Sequence, residues 1–148
     1  MKNAYLILCI LLLAGCAGTS NVQKNTFAAD RFDNVKVVSV YDGDTFRVNL
    51  NCTLDIFCQN IPVRVRGIDT PELNSISQSE RKKANEAKNF TAEFLRGRSD
   101  VTLFNCGRDK YFRLLCRVKV GNKDLTTALL KSGLGVAYEG GTKQSFSE

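Results

Sequence analysis

The sequence predicts a β-rich α+β domain, in which five short strands form a closed or partly closed barrel and two to three helices are attached to it. Two observations support this fold class. Apolar runs with strand and helix periodicity follow the order three strands, helix, two strands, helix within 148 residues. A sheet of five short strands would leave unpaired edges if it stayed open, whereas a barrel pairs or covers them.

The first three strands are predicted at residues 35–40, 45–50 and 61–68. The first is rich in valine, but its period-two alternation slips by one residue between Val37 and Val38. This slip indicates either a β-bulge or a strand that is buried on both faces. Asp42-Gly43 predicts the hairpin turn before the second strand, and residues 52–58 predict a loop before the third.

The helices are recognisable from their capping patterns. Ser77 and Glu80 have the spacing of a capping box, and small and aromatic residues recur at helical spacing downstream. Two further strands are predicted at residues 101–104 and 114–120. Asp124 then predicts the N-cap of a short second helix at residues 125–131.

Residues 1–15 have the organisation of a bacterial lipoprotein signal peptide. A positively charged start is followed by an apolar run at residues 4–13, which is too short to span a bilayer. Leu13-Ala14-Gly15-Cys16 then resembles a lipobox, which predicts cleavage before Cys16 and acylation of its thiol. The alternative is an ordinary signal peptide that is cut after Ala17.

Residues 16–33 are expected to form the lipidated N-terminus and a polar tether, and residues 34–148 the folded domain. The protein is therefore expected at the cell envelope, held to a membrane through Cys16, or otherwise in the periplasm or the medium. Ala17 is not the aspartate of a retention signal, which favours the outer membrane if the source is Gram-negative.

The cysteine count agrees with export. Of six cysteines, Cys9 leaves with the signal and Cys16 is lipidated or removed. In an oxidising compartment the other four predict two disulfides with three possible connectivities. The local pairs Cys52–Cys58 and Cys106–Cys116 are expected because each flanks a predicted turn, and each bond would stabilise the fold by about 2–3 kcal/mol. A four-cysteine zinc site is disfavoured, since no C-x-x-C spacing occurs.

The chain contains no histidine and carries a net charge of +6. Without imidazole, histidine-dependent nucleases and ribonucleases are excluded, and carboxylates and guanidinium groups must carry any hydrolytic chemistry. The positive charge favours a polyanionic partner such as nucleic acid or an anionic membrane surface, with a simple solubility device as the alternative.

Two acidic clusters stand out, Asp42-Gly43-Asp44-Thr45 and Asp69-Thr70-Pro71-Glu72, with arginines available at positions 64 and 113. Carboxylates bind hard cations, and the planar forks of arginine bind phosphate. This combination indicates metal-assisted cleavage of a phosphodiester. Taken singly, the first cluster could be only a hairpin turn and the second only a strand exit. An EF-hand is excluded, because Arg47 stands where that loop requires glycine.

In combination, these residues resemble the staphylococcal (micrococcal) nuclease family. The matching motifs, in chain order, are Asp42-Gly43-Asp44-Thr45, Arg64, Asp69-Thr70-Pro71-Glu72 and Asp109-Lys110-Tyr111-Phe112-Arg113. The similarity runs from about Val35 to Tyr138. It implies an OB-fold barrel of five strands with appended helices, and a Ca²⁺-dependent phosphodiesterase that hydrolyses DNA and RNA with low sequence specificity. A monomer is expected.

The resemblance also implies roles for the acidic residues. Asp44 and Asp69 would bind Ca²⁺ through carboxylate oxygens, and Thr70 through its backbone carbonyl. Asp42 would lie behind these ligands as a supporting acid. Glu72 would act as the general base or position the attacking water.

For the substrate, the resemblance implies that Arg64 and Arg113 bind the scissile phosphate. The residues expected to contact the nucleotide are Lys110, Tyr111 and Tyr138. Two departures from the family pattern bear on this contact. Phe112 stands where the family usually has glycine, and Gly140 where a second tyrosine often lines the base pocket. The chain also ends ten residues after Tyr138, which is expected to alter the nucleotide pocket.

Two other readings remain open at this point. One is a non-catalytic OB-fold lipoprotein that binds nucleic acid or another polyanion at the cell surface. Binding alone requires positive charge and aromatic residues, however, and not acids that repel phosphate. The other is a structural lipoprotein without a ligand, which leaves the acidic clusters and arginines unexplained.

Overall fold

The computed structural model describes residues 30–143 and residue 146. The predicted signal peptide, Cys16 and most of the tether lie outside the described residues. The strands are β1 Lys36–Val40, β2 Thr45–Asn49, β3 Ile61–Val65, β4 Gly67–Asp69, β5 Val101–Arg108, β6 Leu114–Val120, β7 Lys123–Asp124 and β8 Val136–Tyr138. The helices are α1 Gln78–Leu95 and α2 Leu125–Lys131, and a short 3-10 turn covers Asp55–Phe57.

Five strands form a curled mixed sheet in the order β1-β2-β3-β6-β5, and β7 pairs with β6. The β3–β6 pair is parallel, while the other pairs in this sheet are antiparallel. β4 and β8 form a separate antiparallel pair. The predicted β-rich α+β class with five principal strands and two attached helices is therefore confirmed.

The irregularity in β1 is a bulge. The register with β2 shifts between Val37 and Ser39, and Val38 between them is 49% exposed. A strand that is buried on both faces is therefore excluded. The turn that follows is closed by hydrogen bonds from the N–H groups of Tyr41 and Asp42 to the carbonyl of Thr45, which confirms a hairpin turn at Asp42-Gly43.

The predicted third strand, residues 61–68, was wrong as a single element. It divides into β3 and β4 at Arg66, and the following Gly67 has a φ of +85°, which turns the chain out of the line of β3. Arg66 stabilises the break, because its Nε donates to the carbonyl of Asn105 and its Nη2 to that of Leu115. β3 therefore stays in the main sheet, while β4 turns away to pair with β8.

The C-terminal half also contains strand residues that the sequence did not predict. β5 continues beyond residue 104 to Arg108, across a register shift between Phe104 and Gly107. Asn105 lies in this irregular stretch with a φ of +49°. β7 and β8 have two and three residues, too few for a periodic pattern to be visible in the sequence.

Both helices begin at the predicted caps. The Oγ of Ser77 accepts the N–H of Glu80, and a carboxylate oxygen of Asp124 accepts that of Thr127. The second half of the predicted capping box runs through Ser75. Its Oγ donates to Oε2 of Glu80 at 2.6 Å and accepts the N–H of Ser77.

The core lies between the concave face of the sheet and the two helices. Its largest fully buried side chains include Phe46, Ile68, Leu103, Leu125 and Leu129. Burying one such side chain contributes about 1.5–3 kcal/mol, so this cluster holds the helices to the sheet. Neither α1 nor α2, the helices in the described part of the chain, is long and apolar enough to cross a membrane.

The structure contains both disulfides that the sequence predicts. Cys106–Cys116 joins neighbouring strands β5 and β6, with 4.2 Å between its Cα atoms. Cys52–Cys58 closes the loop between β2 and β3, with its Cα atoms 6.1 Å apart. The first bond braces the hairpin that carries Arg113, because Cys116 is three residues from that arginine.

Candidate functional site

Strand pairing brings the two acidic clusters together. Asp44 directly precedes β2, and the N–H of Val65 in β3 donates to its carbonyl at 2.8 Å. Asp69 ends β4, immediately after the break that follows β3. The side chains of Asp44 and Asp69 therefore lie close together, and Arg64 contacts both of them.

Arg64 is the centre of this arrangement and is only 9% exposed. Its Nη2 lies 3.1 Å from Oδ2 of Asp44 and 2.9 Å from Oδ1 of Asp69. Its Nη1 donates to the carbonyls of Val65 and Ile68 at 2.8 and 2.7 Å. The guanidinium that the sequence assigns to phosphate binding is therefore also an internal support of the acid pair.

Asp44 is bound on several sides. Its Oδ2 accepts hydrogen bonds from the N–H and the hydroxyl group of Thr70, at 2.9 and 3.1 Å. Its Oδ1 accepts a hydrogen bond from the hydroxyl group of Thr45. Burial raises the pKa of Asp44 to about 7, against the opposing effect of Arg64 and with a further rise from the neighbouring charge of Asp42. A buried acid with this pKa gains from a cation that replaces its lost hydration.

Asp42 stabilises the turn that carries Asp44. Its Oδ1 accepts the N–H of Asp44 at 3.1 Å and so fixes the turn that presents that residue. Gly43 between them is required by packing. A Cβ there would lie 2.7 Å from the Cβ of Ala87 in α1 and 2.8 Å from Cγ2 of Thr70. Thr91 also donates to the carbonyl of Gly43 at 2.6 Å, so α1 holds the turn in place.

Asp69 carries the clearest unsatisfied group in the described residues. It is 1% exposed, and its Oδ2 is buried without a hydrogen-bond partner there. Leaving a buried carboxylate oxygen unpaired costs free energy unless a cation or another donor satisfies it. Together with the carboxylate of Asp44, which Arg64 holds beside it, this oxygen is a hard donor of the kind that suits Ca²⁺.

The described residues contain no group of three or more histidine, cysteine, aspartate or glutamate side chains arranged to hold a metal ion. The candidate set is smaller, with the two carboxylates of Asp44 and Asp69, to which the family resemblance adds the carbonyl of Thr70. Ca²⁺ usually takes six to eight oxygens, of which waters commonly supply several. Two carboxylates are therefore compatible with a cation site that is partly completed by solvent.

Glu72 lies at the cleft, three residues after Asp69, and its side chain is 51% exposed. The Nζ of Lys143 donates to Oε1 of Glu72 and lies 3.2 Å from Oδ1 of Asp69. Lys143 was missed by the sequence reasoning. It belongs to no motif, and only the path of the chain after β8 brings it to the site.

Arg113 approaches from the β5–β6 hairpin. Its Nε donates to Oδ2 of Asp109 at 2.7 Å, and the other oxygen of Asp109 accepts the N–H groups of Tyr111 and Arg113. Its Nη1 lies 3.5 Å from the hydroxyl of Thr45, which bonds to Asp44. Asp109 therefore orients the second arginine toward the acid pair.

The predicted nucleotide contacts line the same space. A cleft of about 920 Å³ is bordered by the predicted residues Asp42, Asp44, Arg64, Glu72, Lys110, Tyr111, Arg113 and Tyr138. The ring of Tyr111 lies 5.1 Å from the Nζ of Lys110 and 5.5 Å from the Cζ of Arg113. Asp69 and Thr70 are buried beside Asp44. The sequence-predicted site residues in this part of the chain thus converge on one site.

Phe112, in the loop before Arg113, has a left-handed backbone conformation. It has a φ of +64°, which explains why a glycine would fit easily here, and its side chain is 78% exposed. Its carbonyl accepts Nη1 of Arg108, and its N–H donates to the carbonyl of Asp109. These bonds hold the strained residue in place, so the loop still presents Arg113.

A curled sheet that brings two buried carboxylates and two arginines to one cleft places this protein among small β-rich domains with acidic and basic side chains in a shared cleft. The profile of the family described as "Staphylococcal nuclease homologue" matches residues 62–148, more than half of the chain. The chain therefore belongs to the staphylococcal nuclease homologue family. The cluster at residues 42–45 precedes the matched region, and the fold places it against Arg64.

The chain is also similar to curated proteins that are named as probable endonucleases. One from Clavispora lusitaniae is 32% identical over 94 residues, covering 61% of this chain and 40% of the relative. One from Podospora anserina is 29% identical over 133 residues, with 75% and 48% covered. One from Schizosaccharomyces pombe is 29% identical, with 84% and 66% covered. This chain thus spans only about 40–66% of these relatives' lengths.

Proposed function

We propose that this chain hydrolyses phosphodiester bonds in DNA and RNA with low sequence specificity and with the help of Ca²⁺. The observation that carries the proposal is the meeting of Asp44, Asp69 and Arg64 beside a buried carboxylate oxygen that has no partner among the described residues. Family membership and the names of the relatives support the reaction class.

The cation would be held by Asp44, Asp69 and the carbonyl of Thr70, with Asp42 fixing Asp44 from behind. When bound, Ca²⁺ supplies positive charge for the phosphoryl oxygens and a template for the substrate. Thr45 and Thr70 orient the carboxylate of Asp44 through their hydroxyl groups. This preorganisation lowers the cost of collecting the oxygen donors around the ion.

The remaining groups act on the phosphodiester and the water. Arg113 binds phosphate oxygens and stabilises the charge that grows on them in the transition state, and Arg64 adds positive potential from below. Glu72 accepts a proton from the attacking water or fixes its orientation. Because Glu72 is half exposed and follows the rigid Pro71, it can reach solvent without losing its place.

The nucleotide would be held mainly through its phosphate and its stacked base. Tyr111 and Tyr138 offer aromatic faces, and Lys110 offers a further positive charge beside the cleft. Stacking accepts any base, which is the physical reason for low sequence preference. We further propose that the curled sheet is the five-stranded barrel of an OB-fold and that the protein acts as a monomer.

This function predicts cleavage that depends on Ca²⁺ and on Arg113. Plasmid and single-stranded DNA should be cut by the purified protein with Ca²⁺ and left intact with a chelator. Arg113→Ala should lower the cleavage rate about 10²–10³-fold, as expected for loss of a donor to developing negative charge. Gel analysis of timed digests measures the rate.

Arg96→Ala is the matched control, because Arg96 pairs with Glu93 at the end of α1 and lies outside the cleft. It should cleave like the wild type. DNA binding without cleavage in the wild type would favour the non-catalytic binding module instead. Cleavage at an unchanged rate in chelator would contradict the cation requirement.

We also propose that the protein is exported and lipid-anchored through Cys16, at the outer membrane if the source is Gram-negative. The lipobox-like Leu13-Ala14-Gly15-Cys16 supports this proposal, and two disulfides are typical of an oxidising compartment. Labelling with a clickable fatty acid should mark the wild type and spare Cys16→Ser. An unlabelled wild type would exclude the anchor.

A further inference from the structure

Lys143 lies where the proposed cation site meets the proposed base. Its Nζ donates to Oε1 of Glu72 and lies 3.2 Å from Oδ1 of Asp69. That same Oδ1 lies 2.9 Å from Nη2 of Arg64. Asp69 therefore faces two cationic side chains through one oxygen, while its Oδ2 has no hydrogen-bond partner among the described residues.

The chain reaches this position through a turn that the sequence permits at two glycines. β8 pairs with β4 so that Val136 lies opposite Asp69 and Tyr138 opposite Gly67. Gly140 and Gly141 then adopt φ values of +106° and +91°, which favour glycine. The hydroxyl of Tyr138 donates to the carbonyl of Gly141 at 2.9 Å. This bond fixes the turn that returns Lys143 to the cleft.

The charges of the cluster explain why an ammonium group is stable there. The Nζ of Lys143 contacts the carboxylates of Asp69 and Glu72, and Asp69 shares the same oxygen with Arg64. A divalent cation carries twice the charge of the ammonium, so it would neutralise these two acids more fully. Electrostatics therefore favours the exchange.

We propose that Lys143 is an internal counter-cation of this site, and that Ca²⁺ binds by displacing its ammonium group from Asp69 and Glu72. This inference rests on the proposed function, since it requires a cation site at Asp69. Lys143 acts as a positioning residue: it holds the acidic side chains together in the cation-free protein. Its release frees Glu72 for the water when the cation enters, so binding of the cation and availability of the base are linked.

The exchange has opposite effects on affinity and on cation-free stability. Removing the ammonium removes a competitor, so Lys143→Gln should bind Ca²⁺ about five- to tenfold more tightly than the wild type. The same variant should unfold at a lower temperature in chelator, because its acids repel one another. A residue with only a structural role would not tighten cation binding when it is removed.

Isothermal titration calorimetry with Ca²⁺ on the purified full chain tests this directly, together with thermal unfolding in chelator. Lys143→Arg keeps the positive charge, so it should not show the tighter Ca²⁺ binding expected of Lys143→Gln. Lys36→Gln removes the same charge elsewhere and should also bind like the wild type. Lys36 lies opposite Asn49, about 13 Å along β2 from Thr45.

The possible results separate this inference from the proposed function. Tighter binding in Lys143→Gln alone supports the exchange. Equal or weaker binding in Lys143→Gln, with clear Ca²⁺ binding in the wild type, overturns the role of Lys143 and leaves the cation site standing. Absence of Ca²⁺ binding in the wild type and in every variant overturns both.

Discussion

Arg64→Ala should lower the free energy of unfolding of the cation-free protein by about 3–5 kcal/mol. The change removes the guanidinium that bonds to Asp44 and Asp69, both of which are at least 95% buried. It also leaves the carbonyls of Val65 and Ile68 without their donor. Buried carboxylates without a partner are far more costly than a lost surface ion pair. Urea unfolding in chelator measures the loss.

The loss should also depend on pH. The pKa of Asp44 is raised by burial to about 7, and Arg64 is the strongest influence that lowers it. Without Arg64 the pKa rises further, so the folded state holds a proton that the unfolded state has released. Stability therefore falls as pH rises from about 4 through the folded pKa. The decrease in the free energy of unfolding caused by Arg64→Ala should therefore be smaller at about pH 5 than at about pH 8.

Two further variants test whether the unpaired buried carboxylates cause the destabilisation expected for Arg64→Ala. Arg113→Ala should cost only about 1 kcal/mol, because its partner Asp109, although 13% exposed, keeps the backbone N–H groups of Tyr111 and residue 113 as donors. Asp44→Asn added to Arg64→Ala should recover part of the loss, because one buried charge is removed. A loss below about 1 kcal/mol for Arg64→Ala would show that the acid pair does not need the guanidinium.

Much of this fold could be predicted, because its signals are local. The cap at Ser77 and the whole of α2 follow from chemistry that acts over a few residues. The two disulfides join cysteines that are six and ten residues apart, so the local pairing is visible in the sequence. Such features depend little on the rest of the fold.

The break between β3 and β4 could not be predicted for the opposite reason. Residues 61–66 alternate as one strand would, and the slip of the pattern at Gly67-Ile68 does not by itself require a turn. What ends β3 is tertiary: Arg66 reaches carbonyls of β5 and β6, which lie about 40 and 50 residues further along the chain. β4 then finds its partner in β8, a strand of three residues that no sequence period reveals.

In the candidate site, too, some features follow from the local sequence and others from tertiary contacts. Its motif residues could be identified from the sequence, but the sequence treats Arg64 only as a phosphate ligand. The burial that makes Arg64 a structural partner of Asp44 and Asp69 arises from the way β3 and β4 fold over them. Lys143 carries no motif, and the turn at Gly140 and Gly141 alone brings it to Glu72.

Glu72→Gln should lower the cleavage rate about 10²–10⁴-fold at saturating DNA and Ca²⁺. The amide keeps the size and the hydrogen-bonding shape of the side chain, but it cannot accept a proton from water at neutral pH. Folding should be unaffected within about 0.5 kcal/mol, because the side chain is half exposed. The measurement is a single-turnover rate with enzyme in excess, which reports the chemical step without product release.

Binding should respond in the opposite sense to the rate. Glu72→Gln removes a negative charge from the cleft that the phosphate enters, so DNA should bind at least as tightly as to the wild type. Glu93→Gln is the matched control, since Glu93 lies on α1 in a surface pair with Arg96. A Glu72→Gln rate within about threefold of the wild type would mean that another group activates the water. A large loss of rate with intact folding and DNA binding would instead show that Glu72 acts in the chemical step, as the base or as the group that orients the water.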